Sequence, residues 1–315
     1  EDRLLDRART LTGPTVPLAT VETITSRPDH EGRMLGADQA DALTRIAVSG
    51  RVLDVLVGPA GSGKTTAMNA LRRAWETEHG TGSVVGLAPS AVAAQVLADD
   101  LGIACENTAK WWQNHLVHGT TFSAGQLVIV DEASLAGTLS LDRITHLAQT
   151  AGAKVLLVGD YAQLQSVDAG GAFSMLVNAR ADAPELVDIH RFHHTWEKTA
   201  SLGLRHGRTT VIDTYLDHGR VQDGDDIAMT DAAYTAWRAD RKNGLVTVLI
   251  TETRDQVTVL NQRARADLIL DGTLTPSREV ELHDGTNAGV GDTVITRHND
   301  RWLRTSSGKD WVRNG

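Results

Sequence analysis

The chain has 315 residues, 41% of them hydrophobic, which is enough apolar material for two cores. Its single cysteine, Cys105, excludes a disulfide framework and fits a reducing, cytoplasmic compartment. With a mean hydropathy of −0.21, no apolar run approaches a membrane span. A net charge of −9 argues against a protein that coats duplex DNA by neutralising phosphates, although a narrow channel gripping a few nucleotides needs only local charge.

Residues 1–36 read as a segment with one helix-like stretch and Pro/Gly-rich joints, LTGPTVP and SRPDHEG, that packs on a first domain. The opening EDRLLDRART starts at Glu1 and has neither a basic lead nor an apolar core, so it is expected to be a cut inside a longer protein and not a signal peptide. Gln39, in ADQADAL, is a polar residue at the start of an amphipathic helix. The apolar run 53–57 is followed by Gly58-Pro59-Ala60-Gly61-Ser62-Gly63-Lys64-Thr65-Thr66 and then by a helical stretch. This is the pattern of a phosphate cradle. Glycines let the backbone turn tightly and present its amides, Lys64 reaches the β- and γ-phosphates, Thr65 holds Mg²⁺, and the following helix points its positive end at the same anion.

A second strand is expected over 83–88, leading into Pro89, Ser90 and a helix after Ala91, with two tryptophans, Trp111 and Trp112, on a short helix further on. A third, 127–131, is a buried apolar run that delivers Asp131 and Glu132 at its carboxyl end, where open parallel sheets bind ligands. Asp131 would hold Mg²⁺ and Glu132 would orient and deprotonate an attacking water; a solvated turn is the alternative. A fourth, 154–159, ends in Gly159-Asp160-Tyr161-Ala162-Gln163, and the Gln163 amide suits contact with a γ-phosphate or its attacking water, or else capping of a turn with Asp160. Helices after Ser140 and Gly171 complete a βαβ alternation over 37–184. Beyond Pro184 come a crossing segment, 185–192, helices from Trp196 and Asp231, a strand at 245–250, a helix over 253–271, and short strand patterns at 280–283 and 293–297 that suggest a small β insertion. His190, His193 and His194 do not read as a zinc site, because no further ligands converge on them.

Taken together, ADQADAL, GPAGSGKTT, APSAVAAQVL, ENTAKWW, DEAS, GDYAQLQSV and HRF resemble the motor of a superfamily 1 DNA helicase of the RecD-like branch, most closely the helicase region of TraI/TrwC-type (MobF) conjugative relaxases. The resemblance implies an α/β fold: a RecA-like P-loop domain over 37–184 followed by a partial second RecA-like domain over 185–315. It implies an ATP- and Mg²⁺-dependent motor on single-stranded DNA, with 5′-to-3′ polarity resting on resemblance alone. Gln39 then resembles the glutamine that reads the adenine edge, and Arg191 an arginine that reaches across a cleft to the γ-phosphate. By the same resemblance Pro89, Ser90, Thr108 and Trp111 border the DNA path, although two tryptophans on a short helix are more often core. From charge alone Arg254, Arg263 and Arg265 are candidate basic contacts, and a solvated helix face explains the latter pair equally well. Other conjugation or DNA-processing proteins are expected partners.

The chain departs from that pattern in carrying neither the later Gln-Gly-rich motif nor the later arginine motif of the second domain, and it has no nicking-site His-x-His set. A motor fragment that fails to unwind is therefore the expectation. The alternative is a non-translocating ATP- and DNA-binding remnant or accessory ATPase module.

Overall fold

The computed structural model describes residues 1–29, 32–163, 171–275, 278–297, 300–304 and 311–312. The chain divides into two compact units, Glu1–Arg208 and Thr209–Gly315. The first unit opens with helices α1 (Asp2–Arg9), α2 (Leu18–Thr25) and α3 (Ala37–Val48), then alternates β1 (Leu53–Val57), α4 (Lys64–His79), β2 (Val84–Ala88), α5 (Ala91–Leu101), β3 (Ala104–Asn107), α6 (Thr108–His118), β4 (Leu127–Val130), α7 (Thr138–Ala151) and β5 (Lys154–Gly159). Helices α8 (Ala172–Asn178) and α9 (Thr195–Arg205) close it. The strands form one five-stranded parallel sheet in the order β1-β5-β4-β2-β3. This is the α/β arrangement expected from the apolar runs, and the RecA-like one that the resemblance implies.

Because helices cover both faces of the sheet, its strands have no solvent side and read as unbroken apolar runs. The pleat still sorts them. Leu53, Val55 and Val57 of β1, Val128 and Val130 of β4, and Val155 and Leu157 of β5 share a core with α1, α7 and α8. Leu56, Ile129, Leu156 and Val158 point the other way, into a core built by α2, α3, α4 and α5 around the fully buried Trp75, whose indole donates to Gly125 O at 2.9 Å.

The sheet's amino end carries a buried charge cluster. Asp54 lies 2.8 Å from Lys154 Nζ and 2.5 Å from Arg180 Nη1, and Lys154 also donates to Ile46 O and Ser49 O at 2.8 and 2.5 Å. Burial pushes the Lys154 pKa down, and the Asp54 carboxylate opposes that shift. Removing the acid leaves two cations facing one another in the interior, so Asp54→Ala should destabilise the unit by about 3–5 kcal/mol. Urea unfolding checks this, and a loss below about 1 kcal/mol would mean that the cluster is solvated like a surface pair.

The second unit contains α10 (Val211–Asp217), α11 (Asp226–Lys242), α12 (Arg254–Leu270), the antiparallel pair β6 (Val280–Glu281) and β7 (Asn287–Ala288), and the antiparallel pair β8 (Asp300–Arg304) and β9 (Trp311–Val312). Helices α11 and α12 are joined by Tyr234 Oη donating to Asp267 at 2.6 Å and by Arg238 on Asp267 and Asp271.

Two expectations fail in this unit. Residues 293–297 form no strand; the ribbon pairs lie on either side, at β6–β7 and β8–β9. Residues 245–250 form no strand either, although their alternation survives: Thr247 and Leu249 are half-buried while Val246, Val248 and Ile250 are 98%, 80% and 84% exposed. A strand is a property of a pair, and among the described residues no segment supplies the ladder partner. No described helix is long and apolar enough to cross a membrane.

Candidate nucleotide site

In a parallel sheet every carboxyl tip lies on one edge, so the loops after β1, β4 and β5 meet there. The β1 loop is shaped by its glycines. Gly61 and Gly63 have φ of +82° and +77°, which L side chains rarely adopt, and both are closely approached. A Cβ on Gly63 would lie 2.2 Å from Gln39 Nε2, and one on Gly61 would lie 2.6–2.8 Å from the Arg191 stem. Ser62 is buried and donates from Oγ to Pro59 O at 2.9 Å, which closes the turn. The loop leads directly into α4, whose first residues are Lys64, Thr65 and Thr66.

Lys64 Nζ donates to Gly58 O at 2.8 Å and Pro59 O at 3.3 Å. Both acceptors are neutral, and a phosphate oxygen would make a stronger, charge-assisted bond to the same ammonium. Gln39 is buried: its Oε1 accepts from Gly36 N at 3.0 Å, and its Nε2 donates to Ser62 O and Gly63 O at 3.3 and 3.4 Å. Its amide thus braces the phosphate loop from behind, a position that the sequence did not announce.

Asp131 and Glu132 follow β4 as expected. The Asp131 Oδ1 atom is buried without a hydrogen-bond partner. Burial pushes its carboxyl up and the adjacent Glu132 charge adds to this, while the Glu132 amide and Lys64 pull it down. A buried carboxylate oxygen without a donor suits a cation, and Asp131 and the Thr65 hydroxyl are the oxygen donors that could hold Mg²⁺. Glu132 has φ +50°, the one positive value outside glycine among the described residues. Backbone strain of this kind collects at functional sites.

At the β5 tip, Asp160 is 4% exposed and Gln163 is on the surface. Gln163 N donates to Asp160 O at 3.2 Å and Gln163 Nε2 to Asp160 Oδ2 at 3.4 Å, the turn-capping geometry. The LQSV end of that motif lies in 164–170, outside the described residues.

The crossing segment belongs to the first unit. Val57 N donates to Pro184 O and Leu186 N to Val57 O, at 2.9 and 2.8 Å, so Glu185 extends the sheet beside β1. Asp38 Oδ2 accepts from Val187 N and Asp188 N, and His190 N donates to Gly61 O at 2.8 Å. These bonds lay Arg191 against the phosphate loop, so it crosses no cleft to get there, and no ion pair holds its guanidinium among the described residues. Pro59, Ala60, Asp160, Gln163, Arg191 and Arg205 line one cavity of about 250 Å³.

Arg205 escaped the sequence reading, since a lone arginine at the end of a helix carries no motif. Its Nε and Nη2 donate to Asp160 Oδ1 at 3.2 and 2.9 Å, and its Nη1 donates to Glu185 at 3.1 Å.

The expected DNA contacts sit at other tips of the same edge. Ala88 pairs with Asn107, so Pro89 and Thr108 leave the sheet side by side. Ser90 Oγ accepts from Ala93 N at 3.0 Å and caps α5. Trp111 is 8% exposed and stacks on Phe122, centroids 4.3 Å apart, and on His115. The ring is thus part of the apolar core that Phe122 shares. In the second unit, Arg263 pairs with Asp231, and Arg265 with Asp292 and Glu279, so acids already occupy these two cations.

Residues 34–226 match the AAA domain family. The chain belongs to that family, a group of RecD-like superfamily 1 helicase domains. It is similar to a probable conjugal transfer protein TraA of Sinorhizobium fredii, with 32% identity over 87% of this chain and 25% of that protein. It is also 34% identical to the ATP-dependent RecD2 DNA helicase of Deinococcus radiodurans, over 52% of this chain and 23% of that one. The fold resembles that of the Pif1 helicase from Candida albicans, at 17% identity and a TM-score of 0.50, over 79% of this chain and 56% of that one. The chain spans about a quarter of the length of the TraA protein it matches. It is thus a P-loop, helicase-like ATPase domain with a nucleotide site.

Proposed function

We propose that the chain hydrolyses ATP with Mg²⁺ and couples hydrolysis to movement along single-stranded DNA, 5′ to 3′, as the cytoplasmic motor part of a conjugative relaxase-helicase. The observation that carries this reading is the carboxylate pair: a half-buried Asp131 with one buried, unpartnered oxygen beside a strained Glu132, at the strand edge that holds the phosphate loop. Lys64 and the loop amides grip the β- and γ-phosphates. Thr65 and Asp131 hold the metal, which would neutralise charge on those phosphates when bound. Glu132 orients the attacking water and takes its proton, while Gln163 and Arg191 face the γ-phosphate from the cavity wall. Pro89, Ser90 and Thr108 offer the single strand a platform at the neighbouring tips. The division into 1–36, 37–184 and 185–315 belongs to the same proposal, amended in that residues 185–208 pack with the first unit, so that a partial second RecA-like domain would begin near Thr209.

Glu132→Gln should slow hydrolysis by roughly 10²–10⁴-fold and leave Mg·ATP affinity unchanged. Glu132→Gly should be equally inactive yet more stable, because a non-glycine residue in the left-handed region costs about 1–2 kcal/mol. Binding titrations, steady-state turnover and thermal unfolding separate these effects. A parallel loss of affinity and turnover would make Glu132 a binding residue, and a lower melting temperature for the glycine variant would remove the strain.

Single-stranded DNA should raise the rate of ATP hydrolysis. Turnover indifferent to single strands would favour an ATPase switch of another kind. Stimulated turnover without translocation would favour the non-translocating module.

A further inference from the structure

We propose that Arg205 is a positioning residue of the nucleotide site, joining the β5 tip to Glu185 so that Gln163 is free to engage a γ-phosphate. The inference rests on the reading of Gln163 as a phosphate contact. Arg205 is the last residue of α9, and its side chain is 9% exposed. One guanidinium spends two donors on Asp160 Oδ1 and a third on Glu185, and it lies 5.0 Å above the Tyr161 ring. Glu185 in turn bridges Val57, the residue before Gly58. A single side chain therefore ties Glu185, which flanks the strand that launches the phosphate loop, to the β5 tip that leads into Gln163.

The two oxygens of Asp160 are unequally loaded. Oδ1 takes both bonds from Arg205 and one from Ala162 N at 3.0 Å, whereas among the described residues Oδ2 takes only Gln163 Nε2 at 3.4 Å. The bond to Gln163 is the longest of the set. Gln163 can exchange Oδ2 for a phosphate oxygen at little loss, because Arg205 keeps the buried Asp160 charge compensated when the amide leaves. Without Arg205, Asp160 would be a nearly buried carboxylate whose remaining donors are Ala162 N and the Gln163 amide, and it would hold that amide back.

The test is the preference of the 315-residue chain for a non-hydrolysable ATP analogue over ADP, both with Mg²⁺, measured by calorimetric titration. Arg205→Ala should weaken the triphosphate about tenfold, the scale of one hydrogen bond to a charged group, and change ADP affinity less than about twofold. Arg205→Lys should recover part of the preference, since it restores the charge without the two-pronged geometry. Gln163→Ala should lose the same preference, and the double variant should be no worse than Gln163→Ala, because Arg205 acts through that amide. Should Arg205→Ala fail to fold, Arg205→Gln, which keeps much of the side chain's length but not its charge, is expected to show the same selective loss, because the Asp160 carboxylate is again uncompensated. Equal weakening of both nucleotides, an additive double variant, or an unchanged preference in folded Arg205→Ala or Arg205→Gln would overturn the proposal. A wild-type chain with no preference for the triphosphate would instead overturn the reading of Gln163 itself, and this inference with it.

Discussion

Lys64→Ala should abolish ATP hydrolysis and weaken Mg·ATP binding by about 10–100-fold, the loss of a charge-assisted bond to phosphate. The fold should survive. Lys64 donates to the Gly58 and Pro59 carbonyls, but the loop keeps its shape through Ser62 Oγ on Pro59 O, His190 N on Gly61 O and the Gln39 amide on Ser62 O and Gly63 O. Thermal unfolding within a few degrees of wild type, together with lost turnover, is the expected pairing. Wild-type turnover by the folded variant would remove the phosphate-cradle assignment.

Arg191→Ala should lower single-strand-stimulated turnover by roughly 10³–10⁵-fold, as removal of an arginine finger does in other phosphoryl-transfer enzymes, with a smaller change in ATP affinity. Its position makes the prediction specific. The stem lies on Gly61, and the guanidinium, 5.4 Å from the Phe192 ring centroid, carries no ion pair among the described residues, so no carboxylate competes for its charge next to the phosphate loop. Because Arg191 and the loop share one compact unit, the loss should appear as well in a chain ending near Arg208, if that unit folds alone. Unchanged steady-state turnover at saturating single strand would return Arg191 to the surface.

Much of this site was legible because its information is local. A parallel strand buried on both faces has to be an apolar run, and β1, β2, β4 and β5 announced themselves and the polar residues at their tips in that way. The edge strand β3 did not, since Ala104–Asn107 is exposed to half-buried and half polar. The loop glycines spoke for φ but not for what approaches them: that Gln39 and Arg191 occupy the space a Cβ would fill is a tertiary fact. Trp111 illustrates the same limit. Two tryptophans on a short helix read more often as core than as a base platform, and only the fold brings Phe122 against Trp111 in favour of core. The run 245–250 has the alternation of a strand without the neighbour that would make it one, and no local pattern encodes a neighbour. Arg205 was invisible because its meaning lies entirely in Asp160 and Glu185.

The central claim is that a phosphate site built by Lys64, Asp131 and Glu132 is energetically coupled to single-stranded DNA. The most direct test is to titrate a non-hydrolysable ATP analogue with Mg²⁺ onto the chain, with and without a saturating single-stranded oligonucleotide. The account predicts saturable, Mg²⁺-dependent binding whose dissociation constant shifts by about 5–150-fold when the strand is present, and a reciprocal shift of equal size in strand affinity. Absence of saturable nucleotide binding, or binding that the strand leaves unchanged, would contradict it.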